Sequence, residues 1–347
     1  MRRLRRAQRR EDGVVLLMVL VLGLLLTGGV ATFMRRATVD TILIRHRDDA
    51  ARADALARGG VRLAQVLLLE DRLDEARSGL SIESSSDVWA QLSGVEIPVG
   101  DDGATLRLRV EDGGSRLNLN ALVAEGKPIG DGNKAELFLT AVLQRVIDQM
   151  PGRKEDKRYD AGALARNLLD WMDADDVRIQ GGAESDPYAR RDPPVTPPNR
   201  PLLSIDELRQ VAGFDGRLVD FLAHYVTVFP YGKGGGINPN TAPPHVLSLL
   251  YHGVGADLRL VSEDEVGEIL KARAKGDLIC ADDAANPACT RKIGELVAGE
   301  IFPPPSFVSN VFHVVAQAQV GEIRRTADAW VDRSVPSQPL LLAWRVR

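Results

Sequence analysis

From Val14 to Met34 the chain runs 21 residues without a charge, VVLLMVLVLGLLLTGGVATFM, until Arg35–Arg36 close the run. At about 1.5 Å rise per residue, such a helix spans a hydrocarbon layer of roughly 30 Å. Any fold this chain adopts must therefore begin with a single membrane-spanning helix. Ahead of the run, residues 1–12 carry six Arg against Glu11 and Asp12, and Gly13 directly precedes the first apolar residue. A secretory signal would place a shorter apolar core before a small-residue cleavage site. Here the cleavage-like Gly13 comes first, so a cut between Gly13 and Val14 would leave the anchor on the mature chain. The basic flank predicts a cytoplasmic leader, with everything after Arg36 on the far side of the membrane.

Apolar and small residues continue at helical spacing beyond the anchor, through Val39, Ile42, Ala50, Ala53, Ala57, Ala64 and Leu67 or Leu68. Arg45, Arg47, Asp49, Arg52, Asp54 and Arg58 fall on the opposite face. The pattern predicts one helix from about Val14 to about Glu70, roughly 85 Å long if unbroken. Gly59–Gly60 is a place where it could bend. Residues 78–103 read as a loop with a short helix around Trp89. Clean alternation then marks a strand, with Leu106, Leu108 and Val110 set against Arg107, Arg109 and Glu111. SRLNLNAL at 115–122 reads as a second strand leading into a helix. The chain ends in strands again around 312–320, 329–331 and 340–346, with a turn near Gly321-Glu322.

Between these sheet segments, residues 121–301 read as helices and loops. The predicted helices are Lys134–Gln149, Ala161–Met172, Ser204–Val211, Arg217–Val226, Pro244–Leu250 and Glu263–Lys275. Sheet, helices and sheet again predict an α+β chain. In it a long N-terminal helix packs on an antiparallel sheet, residues 37–120 and 302–347 forming that domain and an inserted helical domain interrupting it. Two asparagine turns, NLNA at 118–121 and NPNTAP at 238–243, hint at a repeat within that insertion.

The overall charge is −4, and removing the leader leaves about −8. An acidic exterior argues against nucleic-acid binding, which needs clustered Lys and Arg to neutralise phosphate. The only cysteines, Cys280 and Cys289, lie in the short polar loop CADDAANPAC, where an oxidising compartment would close a disulfide. A metal pair there would lack further Cys or His ligands. The five histidines, 46, 224, 245, 252 and 313, are scattered, and GKGGG at 232–236 reads as a glycine turn without the Ser/Thr of a phosphate-binding loop. Nothing in the pattern predicts an enzyme.

The densest chemistry lies in the acidic segment 170–192, where Asp170, Asp173, Asp175, Asp176, Glu184, Asp186 and Asp192 converge among Gly and Pro. Hard oxygen ligands on a flexible loop suit Ca²⁺, which would also relieve their mutual repulsion. Asp173, Asp175 and Glu184 fall at the first, third and twelfth positions of an EF-hand loop. Val177 and Arg178 occupy the fifth and the glycine positions, so the loop is not an EF-hand. The alternative is a solvated acidic loop without an ion.

Basic leader, Gly13 and immediate apolar helix resemble the class III leader of type IV pilins and type II secretion pseudopilins, which a prepilin peptidase cuts after Gly. The resemblance implies N-methylation of Val14. Most pilins carry Glu at the fifth residue after the cut, and here that residue is Met18. A carboxylate in lipid is expensive unless paired; in pilins its partner is implied to be the amine of a neighbouring subunit. Met18 has no such need and suits a subunit with none above it. With RLNLNAL at 116–122, LLDWMDADD at 168–176, GGAESDPY at 181–188, PLLSIDELRQV at 201–211 and INPNTAPPHVL at 237–247, the chain resembles the type II secretion minor pseudopilins of the K class over nearly its whole length.

That resemblance implies a pilin-like fold with a large helical insertion, an inner-membrane anchor and a periplasmic globular part. It implies a tip complex with the I and J class minor pseudopilins, near the H class and the major pseudopilin, on a pseudopilus that exports folded proteins. It also implies Ca²⁺ in the acidic loop, with Asp173, Asp175, Asp176, Glu184 and Asp186 as the ligand set. Two other readings stay open: a minor pilin of a type IV pilus, and a periplasmic DNA-binding protein, since INPNTAPPHVL resembles a helix-hairpin-helix segment. The latter lacks the basic residues that phosphate contacts require.

Overall fold

A computed structural model describes residues 4–347 apart from 102, 154–156, 232–234, 256 and 336–338, with side chains described from residue 13 onward. The first residues of the leader and most of the glycine turn at 232–236 thus lie outside the described residues.

The spine is one helix, Leu4–Ser78, of 75 residues, about 110 Å long at 1.5 Å per residue. It extends beyond Glu70 because charged neighbours pair along its last turns: Arg72 with Glu75 at 2.6 Å and Arg77 with Asp74 at 2.7 Å. Its apolar stretch has a mean hydropathy of 2.7 over its most apolar window, none of which is buried. This makes it long and apolar enough to cross a membrane. Within it, the hydroxyls of Thr27 and Thr32 donate to the carbonyls of Gly23 and Gly28, four residues back. Each hydroxyl in this apolar stretch is thereby satisfied by its own helix.

The second half of the helix lies on a five-stranded antiparallel sheet, in spatial order Glu96–Val99, Ala104–Asp112, Val311–Val320, Ile323–Asp332, Leu340–Val346. Alternation delivers one face of each long strand to the helix. Leu106, Leu108, Val110, Phe312, Val314, Ala316, Ala318, Ala327, Ala329 and Val331 pack against Ala57, Val61, Ala64 and Leu68. Trp89 closes the end of this core, edge-on to Phe312 at 5.2 Å. Gly59–Gly60 does not break the helix. A Cβ on Gly60 would stand 2.7 Å from Cβ of Ala316 and 2.9 Å from Cδ1 of Leu106, whereas Gly59 faces open space. The pair is thus one contact glycine and one surface glycine. Gly60→Leu is expected to cost about 1–3 kcal/mol by overpacking. Gly59→Ala is expected to stabilise by up to about 1 kcal/mol through helix propensity. Thermal unfolding of the two variants checks the asymmetry.

The insertion is wider than residues 121–301, since the chain leaves the sheet at Asp112 and rejoins it at Val311. Helices Lys134–Gln149 and Ala161–Met172 form its centre, on one buried core with Leu117, Leu119, Leu208, Leu222, Val246 and Ile269. The shorter predicted helices contract to a 3-10 stretch at Ile205–Gln210 and α-helices at Gly216–Leu222, Pro244–Leu247 and Glu263–Ala274. SRLNLNAL contributes only the two-residue strand Leu117–Asn118 before a 3-10 turn.

The insertion is also less purely helical than its composition implies. A three-stranded antiparallel sheet, ordered Glu300–Phe302, Tyr251–Val254, Asp257–Leu260, packs beside the helices. Its hairpin needs Gly253, whose φ is +156° and whose Cβ would lie 1.9 Å from the Asp257 carbonyl oxygen.

The two asparagine turns do repeat in their chemistry. The Asn118 side chain accepts from the Asn120 amide, and the Asn238 side chain likewise from Asn240. Asn120 then accepts from the Leu202 amide at 2.7 Å and donates to the Leu202 carbonyl at 2.9 Å. Asn240 makes the same pair with Ile279, at 3.0 and 2.8 Å. In each half a buried Asn thus engages both hydrogen-bonding groups of one residue in a distant backbone segment and fixes that segment in place.

Candidate metal centre

The helix Ala161–Met172 is held at its start by Asp160, whose side chain accepts from the Ala163 amide. Its last turn carries Asp170, and Asp173 follows at the C-cap. Spacing of three residues puts both carboxylates on one face, at the negative end of the helix dipole, where anions are disfavoured. The following loop folds back on itself. Val177 bridges to Ala183, Arg178 N–H donates to the Gly182 carbonyl at 3.0 Å, and Glu184 N–H donates to the Asp176 carbonyl at 3.2 Å. Gly181 and Gly182 make the reversal, with φ of +84° and +94°.

This reversal carries Glu184 over the helix end. Carboxylate oxygens of Asp170, Asp173 and Glu184 all lie within 4.8 Å of one another. The three residues are 5, 4 and 3% exposed. Asp170 spends one oxygen on the Ile179 amide at 3.0 Å, but Oδ1 of Asp173 and both oxygens of Glu184 are buried without a hydrogen-bond partner. Burial, reinforced by the neighbouring carboxylates, pushes Glu184 up to about 8 and Asp173 up to about 6; burial likewise raises Asp170. Unmatched buried anions of this kind need either protons or a cation.

The other expected ligands lie around this trio. The Asp175 carboxylate accepts from the Val177 amide at 2.8 Å, Asp176 from the Asn199 side chain at 3.1 Å, and Asp186 from the Ala183 amide at 3.2 Å. All three are exposed. Asp170 takes a place in the trio that the five-residue ligand set did not give it, and its helical phase with Asp173 was the available signal. An all-oxygen donor set with orphaned carboxylates fits a hard divalent ion and not a thiolate- or imidazole-seeking one. Such an ion would tie the helix end to the returning loop. Next to Asp170 in the same helix, Trp171 donates to Glu207 at 3.1 Å and its ring lies 5.4 Å from that of Tyr188.

Elsewhere, Cys280 and Cys289 form a disulfide, with Cα atoms 5.8 Å apart. Gly13 and Val14 lie in the long helix, Gly13 with open space around it and Val14 exposed. Hydrogen bonds of His245 and His252 go to the backbone carbonyls of His224 and Ala298. His313 sits between Asp328 and Glu111, where these carboxylates outweigh burial and raise its pKa.

An apolar, uncovered helix half continuing into a helix laid on an antiparallel sheet defines a pilin-like protein, here with a large insertion. The family model for type II secretion system protein K matches residues 115–231. The Klebsiella pneumoniae type II secretion system protein K is 30% identical over 271 residues, 76% of each chain. The Pseudomonas aeruginosa relative of the same description is 25% identical over 94% of this chain and 90% of its own. The chain belongs to the type II secretion system protein K family and is a minor pseudopilin of that secretion machinery. A solved GspK-GspI-GspJ complex from the type 2 secretion system of enterotoxigenic Escherichia coli matches the fold. Its TM-score is 0.57 at 20% identity, covering 88% of this chain and 99% of that one.

Proposed function

We propose that this protein caps the tip of the type II secretion pseudopilus as a single copy, joined there to the I and J class minor pseudopilins. In that position it promotes pseudopilus initiation and limits its length. The observation that carries the reading is the shape of the chain: residues 113–310 form a bulky head on one slender helix. Such a head cannot repeat around a thin fibre. Met18 agrees with this, because it offers no carboxylate to a subunit above. The solved relative complexed with GspI and GspJ supports the choice of partners.

The apolar half of the helix anchors the chain in the inner membrane with the head in the periplasm. A prepilin peptidase cuts between Gly13 and Val14 and the new terminus is methylated. The acidic loop holds structural Ca²⁺ through Asp170, Asp173 and Glu184, with Asp175, Asp176 and Asp186 adding negative charge around it.

Co-expression with I and J class subunits, followed by detergent extraction and affinity purification of the full chain, tests the reading. A stable three-subunit complex is expected; recovery of the chain alone, or gold label on its head spaced along sheared filaments, would refute tip placement. The intact mass of the extracted protein should correspond to a chain beginning at a methylated Val14. Gly13→Leu should leave the precursor uncut.

A further inference from the structure

A second group of carboxylates lies where the long helix meets the head, remote in sequence from the acidic loop. Asp71 and Glu75 come from the last turns of the long helix, Glu83 from the segment after it, and Asp87 from the start of helix Val88–Gln91. Arg333, 1% exposed, reaches into the group from beyond strand Ile323–Asp332. It pairs with Asp71 at 2.5 Å, with Glu75 at 2.5 Å and with Glu83. Arg72 adds a pairing to Glu75 at 2.6 Å. Four carboxyl groups thus gather around two guanidinium groups.

We propose that a hard divalent cation binds between Asp71, Glu83 and Asp87 and fastens the long helix to the head. Oxygens of these three residues lie within 4.8 Å of one another. That is the span one Ca²⁺-sized ion bridges when its oxygen ligands stand at about 2.3–2.6 Å. Glu83 is fully buried, and its Oε2 has no partner, although Oε1 is engaged by Arg333. An orphaned oxygen of a fully buried carboxylate costs far more than an exposed one, so, as in the acidic loop, it calls for a proton or a cation. Asp87 is turned toward the same place by the Ser84 amide at 2.8 Å and the Ser84 hydroxyl at 3.0 Å. The ion adds positive charge to this acid-rich group. It joins three segments that also touch the insertion, since Asn238 donates to the Glu83 carbonyl at 3.2 Å.

The full chain, purified in detergent and dialysed against Ca²⁺ as the probe metal, is assayed for bound ions per chain by elemental analysis. Glu83→Gln keeps an oxygen for Arg333 but replaces the acid, and Asp87→Asn leaves the Arg333 pairs untouched. Each is expected to lose one ion per chain relative to the unsubstituted protein. An unchanged count in both overturns the proposal. Should Glu83→Gln fail to fold, Asp87→Asn decides alone. Loss of a different ion in Asp173→Asn with Glu184→Gln reports on the loop independently, so failure at one place is told apart from failure at the other.

Discussion

Arg333→Leu is expected to cost about 3–5 kcal/mol, among the largest losses any single substitution in this chain should cause. Its guanidinium is the common partner of Asp71, Glu75 and Glu83, and its plane lies over the Phe312 ring at 4.7 Å. Leucine would retain some packing but leave three carboxylates facing one another with little solvent. Burial already pushes Glu83 and Asp71 above their ordinary values even with Arg333 present. Without it they rise further. A carboxyl whose native pKa exceeds its unfolded one destabilises the fold above the unfolded value, and the penalty fades as pH falls and the native state keeps its proton. The deficit of Arg333→Leu should therefore be largest near neutral pH and shrink toward pH 4. Arg333→Lys, which keeps the charge without the planar fork, should fall between. Thermal unfolding of the full chain in EDTA, which excludes compensation by a metal, reads the difference. A loss below about 0.5 kcal/mol at pH 7 would mean that Arg333 is only a surface-type ion pair.

Such a hub is invisible to local sequence reading. Arg333 and its partners are 250 or more residues apart in the chain, and an Arg after a strand looks like any solvated charge. What could be read were elements whose periodicity is sustained. Lys134–Gln149 and Ala161–Met172 match their expected bounds because each turns a full apolar stripe to the core. Strands Ala104–Asp112 and Val311–Val320 alternate over nine and ten residues, long enough to separate a period of two from 3.6. Glu96–Val99, Tyr251–Val254 and Glu300–Phe302 have three or four residues each. They exist because a partner strand satisfies their backbone, as when Phe302 pairs with Tyr251, and no local pattern encodes that partner. Gly59–Gly60 illustrates the same limit: a bend and a close approach call for the same residue, and only the sheet beneath Gly60 distinguishes them.

The acidic loop was legible in its residue types and only partly in its geometry. The sequence puts Asp173 and Glu184 in one candidate ligand set, and the structure brings the two together with Asp170. Which acids face inward depends on hydrogen bonds that spacing does not encode. Asp175, Asp176 and Asp186 spend oxygens on Val177, Asn199 and Ala183, while Asp170 reaches inward from the helix. Asn120 and Asn240 stood out in sequence as turn residues; their greater role, clamping Leu202 and Ile279, depends on segments brought from far along the chain.

Withdrawing Ca²⁺ is expected to lower the melting temperature of the full chain by several degrees. An ion bound only by the folded state, at a hundredfold excess over its dissociation constant, adds about 2.7 kcal/mol. At roughly 2–4 °C per kcal/mol for a large domain, that is about 5–10 °C. The dependence on pH carries a sign. In the ion-free protein Glu184 is held up at about 8 and Asp173 at about 6, against ordinary values of 4.5 and 3.8. Above those ordinary values the unfolded chain releases protons that the native chain retains, so ion-free stability falls as pH rises through this window toward 8. A bound cation holds the carboxylates ionised and removes the penalty. The gap between melting curves with Ca²⁺ and with EDTA should therefore widen from about pH 5 to pH 8. Measured on an Asp87→Asn background, which isolates the loop, Asp173→Asn with Glu184→Gln should close that gap. In EDTA at pH 8 the same pair should melt above its parent, because uncharged amides replace two buried anions. Curves that superimpose with and without Ca²⁺ across the whole pH range would leave the loop as a cluster of protonated acids, stabilised by hydrogen ions and not by a metal.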